Sequence, residues 1–207
     1  MSSPREKQKL ATRDRVRKAA LELFSSAGFD ATTTKAVAER AEVATGTVFV
    51  HAKDKVDLLC LVMHDRLEEA TTTAFTTLPG GASLREQLLH VFGGVLAMYG
   101  KAPELAAPFI KHLPGATGPN AERVNALTFD FLGRLAALIE SAKARGEVDD
   151  DVSSLAVASN LFALYFFALF SWIGGFVSHE GIMPALEGSF DLQLRGLRTR
   201  RVDTTHS

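Results

Sequence analysis

Residues 30–59, DATTTKAVAERAEVATGTVFVHAKDKVDLL, constrain this chain more than any other stretch. The spacing predicts two short helices joined by a tight turn, then the start of a third helix. Thr33 is placed to cap the first short helix, with Thr34, Lys35 and Ala36 as its first turn. Val37, Ala38 and Ala41 recur at helical spacing and face inward. Glu42, Val43 and Ala44 form the turn, with Val43 as an apolar plug between the helices. The second helix covers Thr45 to His51, about two turns at 3.6 residues per turn. Asp54 is placed to cap the next helix, and Lys55 stands at that helix's start.

The flanking chain is helical throughout. A helix over residues 12–27 sets Val16, Ala19, Ala20, Leu23, Phe24 and Ala27 in one apolar stripe, and Gly28 ends it. It gives the two short helices a surface to pack on. Residues 1–9, with Arg5, Lys7 and Lys9, read as a polar basic arm that could reach phosphates. Residues 54–76 form one unbroken helix up to the Pro79-Gly80-Gly81 break. Further helices are predicted over 83–99, capped by Ser83, then over 103–112, 120–145, 152–178 and 184–198. Gly93-Gly94 within the 83–99 helix mark a close helix contact. No strand-like alternation recurs, so the fold class is all-α.

The helix over 152–178 carries no charge and is long enough to cross a membrane. It lacks Lys or Arg anchors at its flanks, and Ser153, Ser154, Ser159, Asn160 and Ser171 interrupt it. The expectation is therefore no membrane, but a helix buried on all sides, one of them covered by a second subunit.

The residue inventory excludes several chemistries. A single cysteine, Cys60, permits no intrachain disulfide, which fits a reducing cytoplasm, and MSSPREKQKL has no apolar signal-peptide core. Cys60 and His64 lie one helical turn apart without a third ligand, so no metal is expected. The six histidines have no Ser/Asp or Cys/Asn companion motif. Neither a P-loop nor a GxGxxG is present, and Asp149-Asp150-Asp151 lacks the later positions of a calcium loop. An enzyme is not expected, nor a cofactor.

Charge and surface chemistry point to nucleic acid. Residues 1–55 hold eleven Lys or Arg against seven Asp or Glu, and residues 56–207 hold twelve against seventeen. A basic module on an acidic body is the footprint of a DNA binder with a separate second domain. The exposed residues of the second short helix are small, hydroxylated or flat, which suits a helix lying in the major groove.

Thr33, Val37, Ala38, Ala41, Val43, Gly46, Thr47, Val48, Phe49, His51, Lys55 and Leu58 together match, in register, the DNA-binding motif of the tetracycline-repressor (TetR) family. The chain resembles that family over about residues 10–60, and in layout alone beyond. Glu42 stands where the family usually has Gly, a replacement that does not favour a turn of positive φ there. Ala44 replaces the usual Ser cap, leaving Thr45 as the substitute cap, and Ala52 replaces the usual Phe.

The resemblance implies a DNA-binding domain over 1–55 and a helical effector-binding and dimerisation domain over 56–207. It implies a cytoplasmic bacterial regulator, most often a repressor, that binds a near-palindromic operator as a homodimer paired through its last two helices. The expected DNA-contacting set is Thr33, Thr34, Lys35, Thr45, Gly46, Thr47, Phe49, Val50, His51 and Lys55. It also implies a small apolar effector held in the aromatic-rich body, for which Phe92, Phe109, Phe129 and Trp172 are the candidates. The alternative is a small-molecule carrier or enzyme that keeps the helix-turn-helix for packing.

Overall fold

The structure, a computed structural model, describes residues 3–197, all of whose regular elements are α-helices. In chain order they are α1 (Pro4–Ser26), α2 (Thr34–Arg40), α3 (Thr45–His51), α4 (Lys55–Thr76), α5 (Leu84–Gly100), α6 (Pro103–His112), α7 (Pro119–Ala144), α8 (Ser154–Ile173) and α9 (His179–Gly196). They form two compact units. The first takes the chain up to Thr72 together with residues 95–128; the second takes residues 73–94 and those from 129 onward.

In the first unit, α1 begins earlier than its apolar stripe suggests. Ser3 and Glu6 form a reciprocal capping box, with Pro4 at the first helical position. Residues 4–9 are therefore helix rather than a loose arm, and the basic side chains of Arg5, Lys7 and Lys9 stand exposed along it. The helix packs Val16, Ala20 and Phe24 fully inward, and Phe24 meets Phe29 at 5.4 Å between ring centroids. α2 is capped as expected, with the Thr33 hydroxyl accepting from the Ala36 amide at 3.1 Å.

The turn out of α2 is a Schellman motif. The Glu42 amide donates to the Glu39 carbonyl and the Val43 amide to the Ala38 carbonyl. The pattern needs a left-handed residue after the C-cap, and Glu42 takes it at φ 53°, a conformation that glycine adopts more readily. The turn keeps its geometry and the side chain bears the strain. Val43 is only half-buried behind it.

In the second unit, Phe92 on α5 is fully buried and ringed by Phe131, Tyr165 and Phe190 at 5.0–5.5 Å. Gly94 lets α5 approach α4 closely, since a Cβ there would lie 3.2 Å from that of Ala74. Arg85 ties α5 to α9 through Asp191, at 2.6 Å, and Glu187.

The long apolar helix is shorter than its hydropathy suggests. α8 ends at Ile173, Gly175 turns the chain at φ 75°, and Ser178 caps an α9 that starts at His179 and carries Pro184 inside it. The predicted end of the last helix at Arg198 lies outside the described residues. α8 is also not buried all round: Leu155, Phe167 and Phe170 are exposed on it, as is Leu192 on α9.

Replacing Glu42 by glycine should relieve the left-handed strain. Glu42→Gly is expected to raise stability by about 0.5–1 kcal/mol after the extra unfolded-chain entropy is discounted, seen as a higher thermal midpoint.

Candidate nucleic-acid interface

α3 divides its seven residues cleanly. Val48 and His51 turn inward, at 0% and 7% exposed, and Thr47 is half-buried. Thr45, Gly46, Phe49 and Val50 point out, with Phe49 51% and Val50 65% exposed. The outward face is therefore uncharged, with one hydroxyl, one bare backbone position and two apolar side chains. Such a face can meet base edges and thymine methyl groups in a major groove without presenting a charge that must be neutralised.

Gly46 is informative because nothing in the chain requires it. Its φ lies outside the left-handed range, and a Cβ there would have no neighbour within 4 Å. A glycine in open space on a helix face suits close approach of another molecule's backbone.

The start of α3 differs from expectation. Ala44, not Thr45, is the N-cap and makes no side-chain bond; Thr45 is the first helical residue, so its hydroxyl stays on the surface. Two predicted contacts also face inward. His51 is buried, and burial, reinforced by Lys9 and Arg13 nearby, holds its imidazole below the usual histidine range. Lys55 donates to the carbonyls of Phe29, at 2.9 Å, and Asp30, at 3.1 Å, and lies over the Phe29 ring. Its ammonium holds the α1–α2 loop rather than standing free. On α2, Lys35 and Thr33 are exposed and Thr34 half-buried, with Lys35 3.9 Å from Glu39. Ala52 is 2% exposed and fills the space behind α3 with little bulk.

The other end of α3 is finished by residues that the motif does not contain. Asp57, in the first turn of α4, is fully buried. Its Oδ1 accepts from the backbone amides of Asn120 and Ala121, both at 2.9 Å. Its Oδ2 accepts from the Lys53 amide at 2.9 Å and the Asn120 Nδ2 at 3.1 Å. The same Asn120 Nδ2 donates to the His51 carbonyl at 2.8 Å, closing the last turn of α3. Asp54 caps α4 through the Asp57 amide at 2.8 Å, as expected. The sequence hinted at this centre only by what it lacked: α7 opens with Gly118-Pro119, which offers no capping side chain of its own.

The four aromatic effector candidates have different surroundings. Phe109 belongs to the first unit, 6.4 Å from Tyr99. In the second unit Phe92 is committed to the core, Phe129 is 73% exposed, and Trp172 packs edge-on to His179. An open groove of about 290 Å³ runs between Leu164, Leu192 and Leu197, and none of the four lines it. Cys60 is buried, with its thiol pushed up to about 12, which leaves it inert.

Fold and face together define a helix-turn-helix DNA-binding protein. The profile of the family described as bacterial regulatory proteins, tetR family, matches residues 16–60. The chain is 27% identical to the HTH-type transcriptional regulator TcmR of Streptomyces glaucescens, covering 94% of this chain and 86% of that one. It is 26% identical to the HTH-type transcriptional repressor KstR of Rhodococcus jostii, with the same coverage. Among solved structures, it shares the fold of the Thermus thermophilus TetR-family repressor FadR, determined in complex with lauroyl-CoA. That match has a TM-score of 0.73 at 24% identity and covers 94% of this chain and all of that one. Residues 16–60 thus carry the DNA-binding domain of the TetR family, and over 94% of its length the chain is similar to transcription regulators rather than to an enzyme or a carrier.

The buried His51 implies a pH dependence. Its folded pKa is depressed, so the unfolded chain binds the proton more readily, and stability present above about pH 6.5 is lost as pH falls toward the lower folded value. His51→Gln is expected to flatten that acid-side decline in thermal melts between about pH 7 and 5.

Proposed function

We propose that the protein is a transcriptional repressor that binds a near-palindromic operator as a homodimer and leaves it when an apolar effector binds. The division of labour is DNA reading by residues 1–55 and effector binding and dimerisation by residues 56–207. The observation that carries the DNA reading is the outward face of α3, with Gly46 in open space beside exposed Phe49 and Val50. Thr45 and Thr47 supply hydroxyls to phosphates or methyl groups to thymine methyls, and Thr33, Thr34 and Lys35 hold the adjacent backbone. His51 and Lys55 act from behind, His51 as an anchor of α3 and Lys55 as a brace of the α1–α2 loop. The repressor sign is supported by the similarity to KstR, which is named as one.

The dimer is supported by the apolar surface left open on α8 and α9, which pack on each other. Leu155, Phe167, Phe170 and Leu192 would be covered by the same helices of a second copy, the natural use of such a face in a bacterial cytoplasmic regulator. The effector class to test first is an acyl thioester, because the Thermus thermophilus neighbour holds lauroyl-CoA and a second neighbour, FadR of Bacillus subtilis, stearoyl-CoA. A coupling of about 1–3 kcal/mol between effector and DNA would make a useful switch.

Selection from random-sequence duplex DNA is expected to enrich a near-palindrome, and a dimer is expected in sedimentation. Gly46→Ala should be as stable as the parent or up to about 0.5–1 kcal/mol more stable, because alanine is the better helix former. The same variant should lose operator affinity. A folded dimer that enriches no sequence would overturn the reading. Lauroyl-CoA titrated into the protein–operator complex is expected to release the DNA; unchanged affinity would remove this effector class.

A further inference from the structure

We propose that the first turn of α7, through Asn120, is a positioning element for the recognition helix α3, so that operator discrimination is set in part by a segment outside the helix-turn-helix. The proposal rests on the reading of α3 as the DNA-recognition helix. All the residues involved lie in the first unit.

The argument starts from unsatisfied backbone groups. A helix leaves carbonyls without partners at its C-terminus and amides without partners at its N-terminus. α3 is only seven residues long and its N-cap, Ala44, supplies no side-chain bond, so its pose depends on what holds its far end. That end is held by Asn120, whose Nδ2 spends one proton on the His51 carbonyl and the other on Asp57. α7 has the complementary need. Gly118 precedes it without a side chain, and Asp57 caps its Asn120 and Ala121 amides instead. One Asp–Asn pair thus finishes the end of α3 and the start of α7 together.

The steric fit is equally specific. Gly118 sits at φ 124°, and a Cβ on it would lie 2.5 Å from the Asp57 carboxyl carbon. Only glycine lets the α6–α7 loop come this close to the carboxylate. Nearby, Lys53 Nζ donates to the Thr117 hydroxyl at 2.6 Å, a second bond between the end of the DNA-binding motif and the same loop. Asn120 is 3% exposed and bonds α3 at the His51 carbonyl, so its influence on DNA passes through the direction in which α3 points.

The test compares affinity for the selected operator with affinity for random-sequence DNA at one salt concentration. Variants are Asn120→Ala and Asn120→Ser, the latter a good residue near a helix start but too short to reach both acceptors, with the exposed Asn125→Ala as control. Both Asn120 variants are expected to lose roughly tenfold or more in operator affinity, the worth of about one misaligned base contact, with random-DNA affinity unchanged. Amide hydrogen exchange without DNA is expected to speed up at residues 48–52 while the α1 core stays protected. Unchanged operator affinity in a folded variant overturns the proposal. So does an equal loss on both DNAs that tracks a lowered melting temperature, because that is the mark of stability alone. Should Asn120→Ala not fold, Asn120→Ser and its exchange pattern decide between the same outcomes. If the parent protein itself selects no operator, the regulator reading fails first, and unchanged exchange at residues 48–52 would overturn the positioning role separately.

Discussion

A buried carboxylate has to be surrounded by donors, because the water it gives up cannot otherwise be replaced. Asp57 meets that requirement with four, two on each oxygen, drawn from Lys53 at the end of the helix-turn-helix and from Asn120 and Ala121 at the start of α7. Each hydrogen bond to such a charge contributes on the order of 1.5–3 kcal/mol relative to leaving it unmade. The set cannot be assembled piecemeal, since partners 63 residues apart in sequence must arrive together. Much else in the first unit follows from it. It explains why glycine is needed at 118, how α7 starts without a cap of its own, and where α3 stops.

The DNA-facing helix is weak by itself and depends on this scaffold. Seven residues are far below the length at which an isolated helix is stable, roughly 12–15 residues. Its N-cap makes no side-chain bond, and the turn before it holds a glutamate in a left-handed conformation. Compensation comes from Val48 and His51 packed inward, the Asn120 bond at its C-terminal end, and the Lys55 brace on the loop before α2. A surface helix fixed in this way can give its exposed positions to recognition, which is why Phe49 and Val50 can remain outside the core.

The second unit obeys a different rule. Its core is aromatic, centred on Phe92, and rings packed at 5.0–5.5 Å leave little freedom to any of them. Its outer helices keep apolar side chains such as Phe167 and Leu192 at the surface. A ring's identity in the sequence does not say whether it fills the core, as Phe92 does, or faces outward, as Phe129 does.

Much of this was legible in the sequence. The register of α2 and α3, the Thr33 and Asp54 caps, the bounds of α6 and the close approach at Gly94 all follow from signals within a few residues of one another. The early start of α1 was also written locally, in Ser3-Pro4 and Glu6, but the basic residues beside it favoured reading an arm. The inward turn of His51 and Lys55, the partnership of Asp57 with Asn120 and the division of aromatics between core and surface were not legible. Periodicity and capping are short-range and leave a mark in sequence order. Which distant donor meets a buried acceptor is settled only when the chain closes on itself, so the sequence alone determined the helices and the DNA-binding motif, and tertiary packing decided which residues present that motif and which hold it in place.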